Sequence, residues 1–459
     1  MLDVIQQLRR LPPDTRVALR RQLEALEGEP CAGEALDEEG LREMLAHLRI
    51  RHRVVITGIG AITPLALNVQ DTWQGLIEGR SGIDYFTRID ASQYPTRFGG
   101  EAKGFDPAQY MNFKKARRMD RFSQFAVAAA KEALEDAQLS LEEIDPEQVG
   151  VLIGSAIGGL DAMDEAMRNL VAGKRLSPFY LVTTVANMAA FHVCHIYGLK
   201  GYNNTVVTAC AAGLQAVGEA AEVIRRGAAQ VMVTGGTESS SSELGLAGFT
   251  AMRGLSTRND DPQGACRPFD RDRDGFVCSE GCGMLVLENL EHALGRGAHI
   301  YAEVLGYSAT SDAYNLVAPD PEAEGAARAI RWAIEDAGIR PEAVDYINAH
   351  GTSTPLNDTM ETLAIKKVFG EHAYQVPISS TKSMIGHLFG GAGALAAIVC
   401  ALTIEHGIIH PTINYETPDP DCDLDYVPNV ARKAKVEVAL SNAFGLGGQD
   451  ACLVVGRYR

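Results

Sequence analysis

From Arg53 onward, short apolar runs ending in Gly or Pro alternate with longer Ala-rich stretches of helical period. "RVVITGIGAITP" reads as a strand, "FSQFAVAAAKEALEDAQL" as an amphipathic helix, and "VGVLIGSAIGG" as a buried strand closed by a Gly turn. "NTVVTAC" predicts a strand, "AAGLQAVGEAAEVIRRG" a helix stopped by Gly227, and "AQVMVTGGTE" another strand. The theme then recurs. "IYAEVLGYSATSD" is a strand, "AEGAARAIRWAIEDAGI" a helix, "VDYINAHGT" a strand into a loop, and "GALAAIVCALTIEHGII" a helix. "VEVALSNAFGLGGQDACLVVG" closes the chain as strand, Gly loop and strand. Such alternation predicts α/β layers. Two stretches of the same grammar suggest an internal duplication.

Residues 1–50 follow another pattern. Leu2, Ile5 and Leu8 share a helical face, Pro12 and Pro13 break it, and Leu19, Leu23 and Leu26 resume it before Gly28. A linker and a second short amphipathic segment, "LREMLAHLRI", follow. Helices this short bury little apolar surface alone. They are expected to lie on the main body or to serve as a docking segment for a partner.

Composition narrows the function classes. The 459 residues carry 42 Lys and Arg against 59 Asp and Glu, a net charge of −17. That excludes a generic nucleic-acid binder, which needs clustered cations for counterion release. No stretch reads as a membrane span or secretory signal, so a cytoplasmic location is expected. Nine cysteines, an odd number, do not read as a disulfide framework. Cys278 and Cys282 form a CxxxC pair without further ligands nearby, and are expected to be packing residues rather than a metal site.

Three segments carry candidate chemistry. Cys210 lies where an apolar strand turns into a helix, with Ala211, Ala212 and Gly213 leaving room beside the sulfur. This is a nucleophile at an elbow, where the helix dipole would favour a thiolate. "NAHGTSTPLND" puts His350 at a strand end before a loop of small and hydroxyl residues. "SSTKSMIGHLFGGAGA" puts Lys382 and His387 before a Gly-rich helix start. The histidines are too far apart for a zinc motif and no metal is expected. They suit hydrogen bonding to, or proton handling at, a thioester carbonyl. "SNAFGLGGQDA" supplies a Gly loop whose amide could complete an oxyanion hole. It lacks the Lys-Ser/Thr of a phosphate loop.

With "GIGAITP", "RGLSTRNDDPQGACRPFDRDRDGFV", "GMLVLE" and "CDLDYVPN", these segments make the chain resemble the β-ketoacyl-acyl-carrier-protein synthases from about Arg53 to Gly456. The resemblance implies a thiolase-like fold: two similar α/β halves in a five-layer α-β-α-β-α sandwich, usually a homodimer. The helical extension read over 1–50 then precedes a first half over 51–298 with Cys210 and a second half over 299–459 with both histidines. It further implies that Cys210 accepts an acyl group from an acyl carrier protein. His350 and His387 then assist decarboxylation of a malonyl-type thioester, and the carbanion attacks the acyl-Cys210. Lys382 would support His350. Glu361 and Phe444 would flank that network. The amides of Cys210 and Leu446 would form the oxyanion hole. Thr352 and Thr354 would line the path of a phosphopantetheine arm arriving on the carrier, with no tightly bound cofactor. Ile157 and Leu446 would bound the acyl pocket.

An acidic carrier needs a positive landing site. Lys114, Lys115, Arg117, Arg118 and Arg121 in "NFKKARRMDRF", with Lys174 and Arg175, match the family's docking segments. Three positions depart from the family pattern. Leu446 stands where Phe is usual, Ala396 replaces a Glu, and "GGQD" brings Asp450 and its charge to the Gly turn. A stand-alone polyketide ketosynthase, a non-elongating acyl shuttle and a non-catalytic partner subunit therefore remain as alternatives to fatty acid elongation. A thiolase is disfavoured because Cys452 lies within the last strand.

Overall fold

The computed structural model describes residues 51–459. The helices expected within 1–50 lie outside the described residues. Runs rich in aliphatic and β-branched residues form most strands of the main sheet. These are β1 (Val54–Ile62), β2 (Val149–Gly154), β3 (Asn203–Val206), β4 (Val231–Glu238), β5 (Gly281–Asn289), β6 (Ala302–Ser311), β7 (Tyr346–Asn348), β8 (Ile378–Ser379), β9 (Val438–Gly445) and β10 (Gln449–Gly456).

Their order is β8-β7-β9-β10-β6-β1-β5-β4-β2-β3. Two wings of identical topology meet at β1 and β6. In one wing β2 runs parallel to β3 and β4, and β5 runs antiparallel to β4 and β1. In the other, β7 runs parallel to β8 and β9, and β10 runs antiparallel to β9 and β6. The seam is short: Val54–Ile56 pair with Ala302–Val304. The duplication suggested by the sequence grammar is thus a duplication of strand order and direction.

Six helices build the other layers: α1 (Arg121–Asp136), α2 (Met188–Tyr197), α3 (Ala212–Arg225), α4 (Glu324–Asp336), α5 (Pro355–Phe369) and α6 (Ala392–His406). α1 and α2 cover one wing, where Phe122, Phe125 and Val127 pack on Val151 and Val233. α4 and α5 cover the other, where Ile330 and Ile365 pack on Leu440 and Val454. Between the wings lie α3 and α6, packed on each other and on strands of both. α6 is buried from Ala392 to Ile404, as a helix without a polar face must be. Phe389–His406 is in fact 18 residues long and apolar enough to cross a membrane, which corrects the reading that no such run exists. It is 89% buried inside the protein, so its composition reflects the central layer. Ala396, on this helix, is buried. A carboxylate there would enter the core as a charge needing a partner.

The two central helices start alike. Ala209, with φ +48°, opens a 3-10 turn over Ala209–Ala211 that leads into α3. Phe389, with φ +45°, opens a 3-10 turn over Phe389–Gly391 that leads into α6. Cys210 and Gly390 occupy the same second position. The helix starts press together: a methyl group at Gly393 would lie 2.6 Å from Leu214 Cβ.

Candidate active site

Cys210 sits on the first of these elbows, four residues past the end of β3 and one past the strained Ala209. A non-glycine residue in the left-handed region costs free energy that the packed surroundings must supply. The result places the sulfur, nearly buried, on the wall of a cavity of about 410 Å³. His350, His387, Thr352, Thr354, Phe444 and Leu446 line the same cavity. Residues up to 236 positions apart in sequence thus converge on one sulfur.

The backbone N–H groups of Leu446 and of Cys210 itself lie within hydrogen-bonding reach of the sulfur. They and the charge of Lys382 favour the thiolate, but desolvation is stronger and pushes the Cys210 thiol up to about 11. The helix start therefore does not leave a standing thiolate, contrary to the sequence reading.

His350 follows β7. Its N–H and that of Gly351 donate to Glu361 at 2.8 and 2.7 Å. Asn442, on β9, donates to the same carboxylate at 3.1 Å. This fixes the loop from both sides. The His350 ring meets the His387 ring edge-on at 5.5 Å, and Phe444 lies 5.6 Å away on another side. His387 stacks on Phe389 at 4.7 Å. Its Nδ1 accepts the Phe389 N–H at 3.2 Å, so the neutral ring carries its proton on Nε2. That Nε2 is buried and meets no partner among the described residues. Burial, reinforced by the charge of Lys382, holds both imidazoles well below their ordinary pKa. Both are neutral donors at neutral pH. Lys382 begins a short helix, Lys382–Ile385, and is buried outside the cavity wall. Burial lowers its pKa while Glu361 and Cys210 raise it. Its charge adds to the burial that keeps His350 unprotonated.

Thr352 and Thr354 face each other at 2.9 Å. Thr354 also caps α5 by accepting the Asn357 N–H. Leu446 is partly exposed on the Gly445–Gly448 turn.

Several sequence expectations change. Ile157 does not line the cavity of the single chain and is 38% exposed. Glu238 accepts the N–H groups of Ala156 and Gly158 on either side of it, which holds this loop with the Ile157 side chain at the surface. Arg121 is not free for docking: it makes a two-pronged pair with buried Glu280, at 3.0 and 2.7 Å. Lys114, Lys115, Arg117, Arg118, Lys174 and Arg175 are exposed. The two basic segments are neighbours, because Arg118 lies over the Phe179 ring at 5.0 Å. Asp450 does not add a charge at neutral pH, since burial and Asp312 push its carboxyl up to about 8. Cys278 and Cys282 are fully buried. No group of three or more metal-ligating side chains gathers among the described residues.

Sequence reasoning missed Glu238, Phe389, Asn442 and Asp312. Glu238 had a signal, a carboxylate ending the otherwise apolar run "VMVTGGTE". Asn442 and Asp312 are defined by contacts between elements distant in sequence, and Phe389 by its stacking on His387.

Residues 51–293 match the family described as "Beta-ketoacyl synthase, N-terminal domain", and residues 301–416 match "Beta-ketoacyl synthase, C-terminal domain". A 3-oxoacyl-[acyl-carrier-protein] synthase 2 of Synechocystis sp. is 52% identical over 411 residues, covering 89% of this chain and 99% of that protein. A synthase of the same name from Coxiella burnetii is 48% identical over 409 residues, covering 89% and 99%. Among solved structures, a type II PKS acyl-carrier protein in complex with its ketosynthase, AntDE:AntF, aligns with a TM-score of 0.83 and 37% identity, covering 89% of this chain and 100% of that one. A β-ketoacyl synthase from Burkholderia phymatum aligns with a TM-score of 0.82 and 37% identity over the same shares. The fold is that of the thiolase-like ketosynthases, and the chain belongs to the β-ketoacyl synthase family.

Proposed function

We propose that the chain catalyses decarboxylative condensation of a Cys210-bound acyl group with a malonyl-type thioester on an acyl carrier protein, in the cytoplasm. The observation that carries this reading is the shared cavity. A thiol, two amides directed at it, and two neutral imidazoles, one with a buried Nε2–H that meets no partner among the described residues, surround one space.

The arrangement supports the following steps. The Cys210 sulfur attacks the acyl carbonyl carbon, the S–C bond forms, and the carrier's pantetheine thiol departs with the proton that Cys210 loses. The amides of Cys210 and Leu446 hold the oxyanion. The malonyl-type carrier enters past Thr352 and Thr354. Its carboxylate leaves as carbon dioxide, and the bonding pair moves onto the thioester as an enolate. The Nε2–H of His387, with His350, stabilises the enolate oxygen. The enolate carbon attacks the acyl carbon, a C–C bond forms, and the Cys210 thiolate leaves. Lys382, Glu361 and Phe444 position and polarise His350. No resident cofactor enters these steps.

Residues 51–298 and 299–459 form the two halves of this enzyme. The patch of Lys114, Arg117, Arg118, Lys174 and Arg175 receives the carrier, and the 1–50 segment is a docking element. A second copy covers the edge strand β3 and the exposed Leu170, Val171, Leu181 and Val182, giving a homodimer. The Ile157 loop packs on residues 183–186, next in sequence to Leu181 and Val182, and Ile157 bounds the acyl pocket only in that dimer.

The test is product formation. Acyl carrier and malonyl carrier supplied together give a β-ketoacyl carrier and carbon dioxide in equal amounts. Acylation of Cys210 without extension reduces the protein to an acyl shuttle. Light scattering at micromolar concentration gives twice the mass of 49.3 kDa for the homodimer.

A further inference from the structure

Asp450 lies in β10 opposite Phe444 and Thr310, and it is buried. It lines the active cavity together with Asp312, the first residue past β6. The backbone ties Asp312 to the turn that carries Leu446. The Asp312 N–H donates to the Gly448 carbonyl at 2.8 Å, and the Gly448 N–H donates to the Gly445 carbonyl at 3.0 Å. Gly448 has φ +67°, and a methyl group on it would lie 2.5 Å from Asp312 Cβ. The turn therefore rests directly on Asp312.

The two carboxyl groups converge. A methyl group at Gly325, in the first turn of α4, would strike Asp312 Oδ1 and lie 3.0 Å from Asp450 Oδ2. Asp450 Oδ2 meets no hydrogen-bond donor among the described residues. The charged groups facing it are Asp312 after β6, Asp320 before α4, and Arg328 on α4. Asp312 Oδ2 already accepts the Asp320 N–H at 3.2 Å, and Arg328 donates to the Ser311 carbonyl at 2.6 Å. Two carboxylates can only accept, so the contact between them closes only when one proton is shared. The single remaining charge then sits at the start of α4, beside Arg328.

We propose that Asp450 is a positioning residue: in its protonated form it bonds to Asp312, clamps the Gly445–Gly448 turn to the end of β6, and so holds the Leu446 amide on the Cys210 sulfur. This rests on the Leu446 amide being half of the oxyanion hole proposed above. Burial and the neighbouring Asp312 charge push the Asp450 carboxyl up to about 8. The clamp is closed at neutral pH. It opens as pH rises, when two carboxylates repel across the contact.

The test compares kcat/KM for the acyl-carrier substrate at pH 7 and pH 9 in the full-length enzyme, in Asp450→Asn and in Asp312→Asn. An amide donates at every pH, and one pH unit above a pKa leaves about a tenth of a group protonated. The ratio of activity at pH 9 to activity at pH 7 is therefore expected to be about tenfold lower in the wild type than in Asp450→Asn. Asp312→Asn shows the same flattened profile, which keeps the test decisive if one variant is unstable. Asp450→Leu, which cannot donate, loses kcat at pH 7 while its KM for the carrier changes little. Titration of Cys210 and of the other buried groups is common to all these proteins and cancels in the comparison. An unchanged ratio in both amide variants overturns the clamp while leaving the condensation reading intact. A wild-type enzyme that is never acylated on Cys210 overturns the condensation reading itself.

Discussion

The two elbows that open α3 and α6 share one backbone device and differ in what stands on it. In the first wing, the residue after the left-handed position is Cys210, and its sulfur faces the cavity. In the second, it is Gly390, where a methyl group would lie 2.6 Å from the Ala156 nitrogen. The second elbow is packed against the first wing. Its chemistry moves to the loops around it, with His387 before the turn and His350 past β7. The loops are also held alike. Glu238 accepts the amides of the loop after β2, and Glu361 accepts those of the loop after β7. Both carboxyls are pushed up to about 7, by burial above all. A duplicated scaffold thus places a nucleophile from one copy against hydrogen-bond donors from the other, and each copy is incomplete alone.

The largest effect comes from removing the chemistry of either elbow. Cys210→Ala is expected to abolish acyl-enzyme formation and to lower condensation by at least about 10³-fold. His387→Ala and His350→Ala are expected to retain acylation and to lose extension by about 10²–10⁴-fold. Intact-mass and product assays on the same samples separate the two classes. If the histidine variants lost acylation as completely as Cys210→Ala, the division of labour between the wings would be wrong.

Next come the loop anchors. Glu361→Leu leaves the N–H groups of His350 and Gly351 without their acceptor, at about 1–3 kcal/mol each. Glu238→Leu does the same to Ala156 and Gly158. Urea unfolding is expected to show similar destabilisation in both, with the larger loss of extension in Glu361→Leu. The pH dependence has a definite sign. In the fold burial pushes the Glu361 carboxyl up to about 7, from about 4.5 in the unfolded chain. The folded state binds more protons in that window, so stability falls as pH rises from about 4.5 to 7. Glu361→Gln removes its share of that fall, which unfolding at a series of pH values detects.

Gly390→Ala sharpens the contrast between the elbows themselves. Its methyl group forces the Ser155–Ala156 backbone aside, for about 1–3 kcal/mol of overpacking. Thermal unfolding measures it. The smallest effect is at the surface. Arg118→Glu is expected to raise KM for the carrier-bound substrate several-fold with little change for a pantetheine mimic, and added salt narrows the difference.

The repeated elbow also shows what was legible in the residues. Strand and helix alternation, Cys210 and both histidines stand in local patterns of apolar period and Gly turns, so they are visible one segment at a time. Lys382 was visible beside His387, but its support of His350 came from the resemblance and not from the local pattern, because its charge reaches that ring only through the fold. Arg121 looked like part of a basic run until Glu280, 159 residues away, took it. Ile157 matched a pocket position, yet the single chain exposes it, since Glu238 holds the backbone on either side of it. The state of the Cys210 sulfur was misread because a helix start is a local feature and desolvation is not. Asp450 was visible as an anomaly, but Asp312 is its neighbour only through the pairing of β10 with β6.

The most direct test follows one acyl group through the cavity. The enzyme is loaded from an acyl carrier, the adduct is mapped by peptide mass, and its decay is timed after malonyl carrier is added. The label is expected on Cys210, vanishing within turnovers in the wild type and persisting in His387→Ala. A label on another residue, or equal decay in both proteins, would contradict the account.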